Sequence, residues 1–175
     1  MNRLWLWAPL GLFMLFFAVV AQGLMHPADR LVKSTMIGKV VPQFSLLPAI
    51  ETLPGVGSAN LSDGKPKLVN FFESWCIPCA TESAMLERLE QQGVEIHGIA
   101  IRDRPQDLKR FLARNGNPYQ RIGADTESKV QISFGSAGVP ETFVVDGKGI
   151  VRYQLAGDIN AGNVGEVLTA LRNAQ

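Results

Sequence analysis

Two cysteines, the only ones among 175 residues, stand three positions apart in Trp75-Cys76-Ile77-Pro78-Cys79. That spacing suits a dithiol that opens and closes a disulfide. A structural framework spreads an even set of cysteines over a small secreted fold, and a zinc site needs two further ligands. The two histidines, His26 and His97, are too few and badly placed to supply them, so neither a metal nor a cofactor is expected. A cysteine at the start of a helix feels unpaired backbone N–H groups and the positive end of the helix dipole, which favours thiolate over thiol. Cys76 is therefore expected to be the exposed, attacking sulfur. Cys79, one turn further in, would be the resolving sulfur that breaks a mixed disulfide. Pro78 is tolerated because the first helical turn has no use for its missing N–H, and its fixed φ stiffens the loop. The Ile77-Pro78 pair adds no donor to a reduced thiolate, which favours a reducing couple over an oxidising one. Trp75 either packs over the sulfurs or meets an incoming chain.

The elements that position this pair follow from periodicity. Lys67 to Phe72 is a continuous apolar run interrupted only by Asn70, predicting a central buried strand, and a helix runs from about Cys76 until Gly93 stops it. Val94 to Ile101 reads as strand, Arg104 to Asn115 as helix, and Thr126 to Phe134 contains a short helix. Glu141 to Asp146 and Ile150 to Leu155 form a hairpin about Gly147, and Asn163 to Arg172 closes the chain as an amphipathic helix. Phe44 to Leu47 is expected as a short first strand, followed by a Pro- and Gly-rich loop from Pro48 to Ser58. A β-α-β-α series ending in an antiparallel hairpin is an α/β fold of thioredoxin-like architecture, a central mixed sheet flanked by helices. Pro140 opens the hairpin strand after Gly138-Val139. A cis bond is expected there, leaving the preceding backbone to pair with a substrate strand beside the sulfurs.

The domain has an appendage. No charge occurs from Leu4 to Leu24, and Trp5 and Trp7 sit behind the lone cation Arg3, the pattern of a transmembrane helix. The expected organisation is an anchor over 1–24, a tether over 25–40 and the thioredoxin-like domain over 41–175. A cleaved signal peptide is the rival reading, since Val19 and Ala21 are small residues before Gln22. Either places the domain outside the cytoplasm. Without Arg3 the 17 basic side chains become 16 against 16 acidic ones, with no run of one sign, so no nucleic-acid partner is expected.

Four motifs in order carry a resemblance: Ile37-Gly38-Lys39 before Pro42-x-Phe44, the Trp-Cys-x-Pro-Cys turn, Gly116-Asn117-Pro118-Tyr119, and Val139-Pro140-Glu141-Thr142 before Asp146-Gly147. Together, from about Ile37 to Gly157, they resemble the membrane-anchored thioredoxin-like proteins of cytochrome c maturation, the CcmG/DsbE family. The resemblance implies a single-pass protein of the inner membrane with its domain in the periplasm. It would be a thiol:disulfide reductase that keeps the haem-attachment cysteines of apocytochrome c, or mixed disulfides of them, reduced. Its electrons would come from a membrane donor of the DsbD/CcdA kind. Cys76 and Cys79 would carry the redox reaction, with Glu82 and Glu141 as acidic residues flanking them. Carboxylates there would oppose thiolate formation and suit a basic partner; the plain alternative for Glu82 is a first-turn acid favoured by the helix dipole. Asn70 stands where general thioredoxins carry a buried aspartate, so either water or a glutamate takes the proton of Cys79 or the mixed disulfide is resolved more slowly. Glu73 departs from the small residue usual in that family, and its facing is open. Competing readings are a thioredoxin-like reductase or oxidant of broader range outside the cytoplasm, and a tethered module that binds apocytochrome or haem. A thiol peroxidase fits less well, because its cysteine follows a threonine and a proline.

Overall fold

The computed structural model describes residues 7–25 and 35–175, which fall in two compact units, Met1–Lys33 and Ser34–Gln175. In the first, helix α1 (Ala8–Met25) is 18 residues long and exposes apolar side chains from Leu10 to Val20. Among the described residues no helix is long and apolar enough to cross a membrane. Eighteen residues rise about 27 Å, short of a hydrocarbon core of about 30 Å. The expected transmembrane helix is thus not carried by the described residues alone. Arg3, Leu4 and Trp5 lie outside them, as do tether residues 26–34 with His26, Arg30 and Lys33.

The second unit is built on one five-stranded sheet. Its elements are β1 (Lys67–Phe72), α2 (Ile77–Gln91), β2 (Ile96–Ile101), α3 (Pro105–Asn115), β3 (Arg121–Asp125), α4 (Lys129–Ser133), β4 (Glu141–Val145), β5 (Val151–Ala156) and α5 (Val164–Asn173). The strand order is β3-β2-β1-β4-β5, with β1, β2 and β3 parallel and β4 and β5 antiparallel to their neighbours. The fold is the expected α/β thioredoxin-like one.

Alternation along the strands sorts two cores. Leu68 and Phe72 of β1, Ile96 and Ala100 of β2 and Val144 of β4 face α2, α3 and α5, which add Leu86, Leu89, Phe111 and Val167. Val69, Phe71, Ile99, Phe143 and Val145 face the other way, toward α4 and the segment before β1, where Phe134 stands edge-on to Phe71 and Phe143. Both faces of β1 and β2 are therefore buried, which is why their sequences read as unbroken apolar runs.

Two differences from the sequence reading lie before and beside the sheet. Phe44 to Leu47 forms no strand; Ser45 and Pro48 make isolated bridges to Gly57 and Gly123. Instead, residues 47–54 clothe the outer edge of the unforeseen strand β3, with Ala49 N and Ala124 N donating to Ile122 O and Leu47 O, and Ile122 N to Pro54 O. Residues 38–40, read as the end of the tether, are held against the start of β5: Gly38 N donates to Val151 O and Val151 N to Lys39 O.

Candidate active site

The sulfurs sit at the carboxyl end of the parallel strands, where open α/β sheets place their sites. β1 ends at Phe72, and Cys76 is the N-cap of α2, its Sγ accepting from Cys79 N at 3.2 Å. Ile77 and Pro78 occupy the first two helical positions, where Pro78 forfeits no intrahelical bond. Cys76 and Cys79 are joined in a disulfide with Cα atoms 5.3 Å apart. The expectation of an exposed Cys76 needs correcting in this oxidised state: turned back toward the Cys79 N–H and bonded to its sulfur, it is 7% exposed against 2% for Cys79. What stands open is its apolar surround, Trp75 at 71% and Ile77 at 81%. Trp75 therefore does not pack down over the sulfurs.

The turn before the helix is pinned from β2. Asp103, just beyond that strand, accepts from both Ser74 N and Ser74 Oγ. Glu73 is buried beside it. Burial, and then the charge of Asp103, raises the Glu73 carboxyl above its ordinary range, partly offset by Arg102. Glu73 thus lies under the turn against this loop rather than in solvent.

Below the disulfide lies a polar cluster walled by the apolar core. Asn70, at the middle of β1, is fully buried. Its Nδ2 donates to Glu82 Oε1 and to Thr142 Oγ1, both at 3.0 Å, and its Oδ1 accepts from the Tyr119 hydroxyl at 2.8 Å. The second Glu82 oxygen accepts from Ile159 N at 2.9 Å. Glu82 is three residues after Cys79 on α2, so the two share a helix face with Cβ atoms about 5–6 Å apart. It is no first-turn acid, since the first turn of α2 has none, and it is 1% exposed. Desolvation raises its pKa to about 7, aided by the charge of Asp158 and opposed by the hydrogen bonds from Ile159 N and Asn70.

Glu141 is not part of this cluster. Thr142 pairs with Asn70 across the β1–β4 ladder, so Glu141, one residue earlier, projects from the opposite face. There it accepts from Ala137 N at 3.1 Å and from Gln154 Nε2. The two glutamates expected to flank the sulfurs together are separated by the sheet. Pro140 is buried just ahead of β4 and the Val139–Pro140 bond is cis, as the sequence reading has it. Extending the Phe71–Glu141 pair by one position sets Pro140 at the level of Phe72, the end of β1. His97 makes no approach to the site. It is buried at the far end of β2 with Nε2 on Glu95 at 2.9 Å. No metal-binding group of three or more His, Cys, Asp or Glu occurs among the described residues.

The sequence reading gave no role to Tyr119, Thr142, Ile159 or Asp103. The available signal was Asn70 itself, since an amide in an apolar strand must find partners.

The comparisons agree with this geometry. The sequence profile of the AhpC/TSA family matches residues 37–154. The thiol:disulfide interchange protein HelX of Rhodobacter capsulatus is 45% identical over 126 residues, covering 72% of this chain and 71% of the relative. The thiol:disulfide interchange protein DsbE of Escherichia coli is 35% identical over 168 residues, covering 91% and 89%. A DsbE-like crystal structure from Chlorobium tepidum superposes with a TM-score of 0.61 at 23% identity, over 77% of this chain and 97% of that one, and shares the fold. With a joined Cys76–Cys79 pair at a helix tip on a thioredoxin-like sheet, the chain belongs to the AhpC/TSA family and to the DsbE/HelX thiol:disulfide interchange proteins, and its activity is thiol:disulfide oxidoreduction.

Proposed function

We propose that the protein is a membrane-anchored reductant outside the cytoplasm that serves cytochrome c biogenesis, reducing the haem-attachment cysteines of apocytochrome c or mixed disulfides of them. The observation that carries this reading is the likeness to relatives named DsbE and HelX over most of the chain. The four motifs of the maturation family support it. The uncharged run from Leu4 to Leu24, which begins ahead of α1, is the proposed anchor, with the tether between it and the redox domain. An exported reductant needs recharging across the membrane, so a thiol-disulfide transporter of the DsbD/CcdA kind is the proposed electron donor.

In the proposed cycle the Cys76 thiolate attacks a target disulfide, forming a Cys76–target bond and expelling the target's other sulfur as thiolate. Cys79 then gives its proton to Glu82 and attacks Cys76 Sγ. The second target sulfur leaves, and the Cys76–Cys79 disulfide remains. A carboxyl with a pKa of about 7 is matched to a proton transfer near neutral pH. Asn70 takes no part in the proton transfer and holds Glu82. Trp75, Ile77 and Pro78 are the proposed contact surface for the client, with the Val139–Pro140 loop as its strand-pairing edge. Glu141 is proposed to brace that loop through Ala137 N.

The test is the full-length Cys79→Ala variant expressed in cells that make c-type cytochromes. The expected result is a covalent, reductant-sensitive adduct between Cys76 and apocytochrome c. Adducts with many unrelated exported proteins and none with apocytochrome would refute the cytochrome assignment.

A further inference from the structure

We propose that Tyr119 is a positioning residue for disulfide exchange: by donating its hydroxyl to Asn70 Oδ1 it holds the amide with its NH2 toward Glu82, and so sets the pH range in which Glu82 accepts the proton of Cys79. The inference rests on the reading of Glu82 as that acceptor.

An amide buried between a carboxyl, a threonine and a tyrosine has two orientations. In the one observed, Nδ2 faces Glu82 and Thr142 while Oδ1 faces Tyr119. Turned over, the amide would present Oδ1 to Glu82, which only a protonated carboxyl, as donor, satisfies. The observed orientation therefore favours the charged, proton-accepting form. Thr142 accepts or donates equally well and does not choose between the two. Burial, and the charge of Glu82, keep the Tyr119 phenol protonated far above neutrality; a phenol can also accept, but Asn70 Oδ1 is where its buried O–H donates, and a turned amide would take that acceptor away.

The ring is fixed by more than this bond. It stacks on Phe72 with centroids 4.8 Å apart and planes 16° from parallel. It also lies over Gly98, where a Cβ would come within 3.0 Å of it and 2.9 Å of Phe72. Asn117 Oδ1 accepts from Tyr119 N at 3.3 Å, steadying the backbone that delivers the ring. The groups acting on Glu82 are the Asn70 amide, the Ile159 N–H and the Asp158 charge; Tyr119 feels its charge, and Cys79 stands three residues before it on the same helix.

The experiment uses the full-length reduced protein in detergent. Cys76 is converted to a mixed disulfide with thionitrobenzoate, and release of the chromophore by Cys79 is timed by stopped flow across pH. Wild type is expected to show a rate midpoint that Glu82→Gln abolishes. Tyr119→Phe is expected to move it upward by about one pH unit, a loss of about tenfold below the midpoint. A profile that Glu82→Gln leaves unchanged overturns the proton-acceptor reading and this inference with it. A midpoint abolished by Glu82→Gln but unmoved in Tyr119→Phe overturns only the part given to Tyr119, and a slower rate at every pH with the midpoint kept does the same. Should Tyr119→Phe fail to fold, the Asn70 side-chain amide resonances of wild type decide: they follow the Glu82 titration if the two are coupled, and their indifference to it refutes the coupling.

Discussion

Replacing Glu82 by glutamine should change how stability depends on pH, by an amount the structure fixes. In the unfolded chain a glutamate titrates near its ordinary 4.5, whereas burial under α2 raises Glu82 to about 7. Between those values the folded protein holds a proton that the unfolded chain has released, so stability falls as pH rises through the window. Each pH unit is worth 1.36 kcal/mol, which makes the loss about 3 kcal/mol by pH 8. Glutamine has no charge to desolvate. It also presents an NH2 to one of two donors, Asn70 Nδ2 or Ile159 N, and pays for that mismatch equally at every pH. The stability of Glu82→Gln minus that of wild type should therefore climb by about 3 kcal/mol from pH 4.5 to pH 8, whatever its starting value. Urea unfolding of the oxidised proteins at several pH values measures it, with the cysteines out of the titration. Wild type alone would mislead, because burial lowers the pKa of His97 below 6.5 and so removes stability as the solution becomes more acid. The difference cancels that contribution. A difference flat to within about 0.5 kcal/mol would refute the argument that Glu82 is desolvated in the folded state.

Glu141→Gln should leave the Glu82 titration where it is, since the sheet lies between them; its cost at neutral pH should be about 1–2 kcal/mol from weakened bonds to Ala137 N and Gln154, read from urea midpoints. Gly98→Ala should destabilise by about 1–3 kcal/mol at neutral pH, because its methyl would press on both Phe72 and Tyr119, and near-ultraviolet dichroism should register the displaced rings. Asp103→Ala should cost about 1–3 kcal/mol by freeing Ser74. With the Asp103 charge removed, the Glu73 carboxyl should titrate at lower pH, visible in its side-chain carbon resonance.

The dithiol, the strand before it and the helix after it were legible because each obeys a local rule: three-residue spacing, an unbroken apolar run, and helical recurrence of Met85, Leu86 and Leu89. β3 was not, since Arg121-Ile-Gly-Ala-Asp125 is short, carries a charge at each end, and owes its outer hydrogen bonds to residues 47–54. The loop around Pro48 supplies that cover, and this is why a strand expected at Phe44 to Leu47 appears only as isolated bridges. At the site the sequence named Asn70 and Glu82 one by one. Their junction required the register that sets Thr142 beside Asn70 and the long-range arrival of Tyr119 and Ile159, none of which is encoded in nearby residues. The same register turns Glu141 to the face of the sheet away from Glu82.

The segment laid along β3 has a consequence for traffic on this protein. Ile122 has already spent its N–H and C=O, and Ala124 its N–H, on residues 47–54, so an unfolded client drifting against that flank finds no berth for a regular ladder of its own. Excising those residues would uncover a sticky rim, competing for extended polypeptides with the mouth beside Cys76.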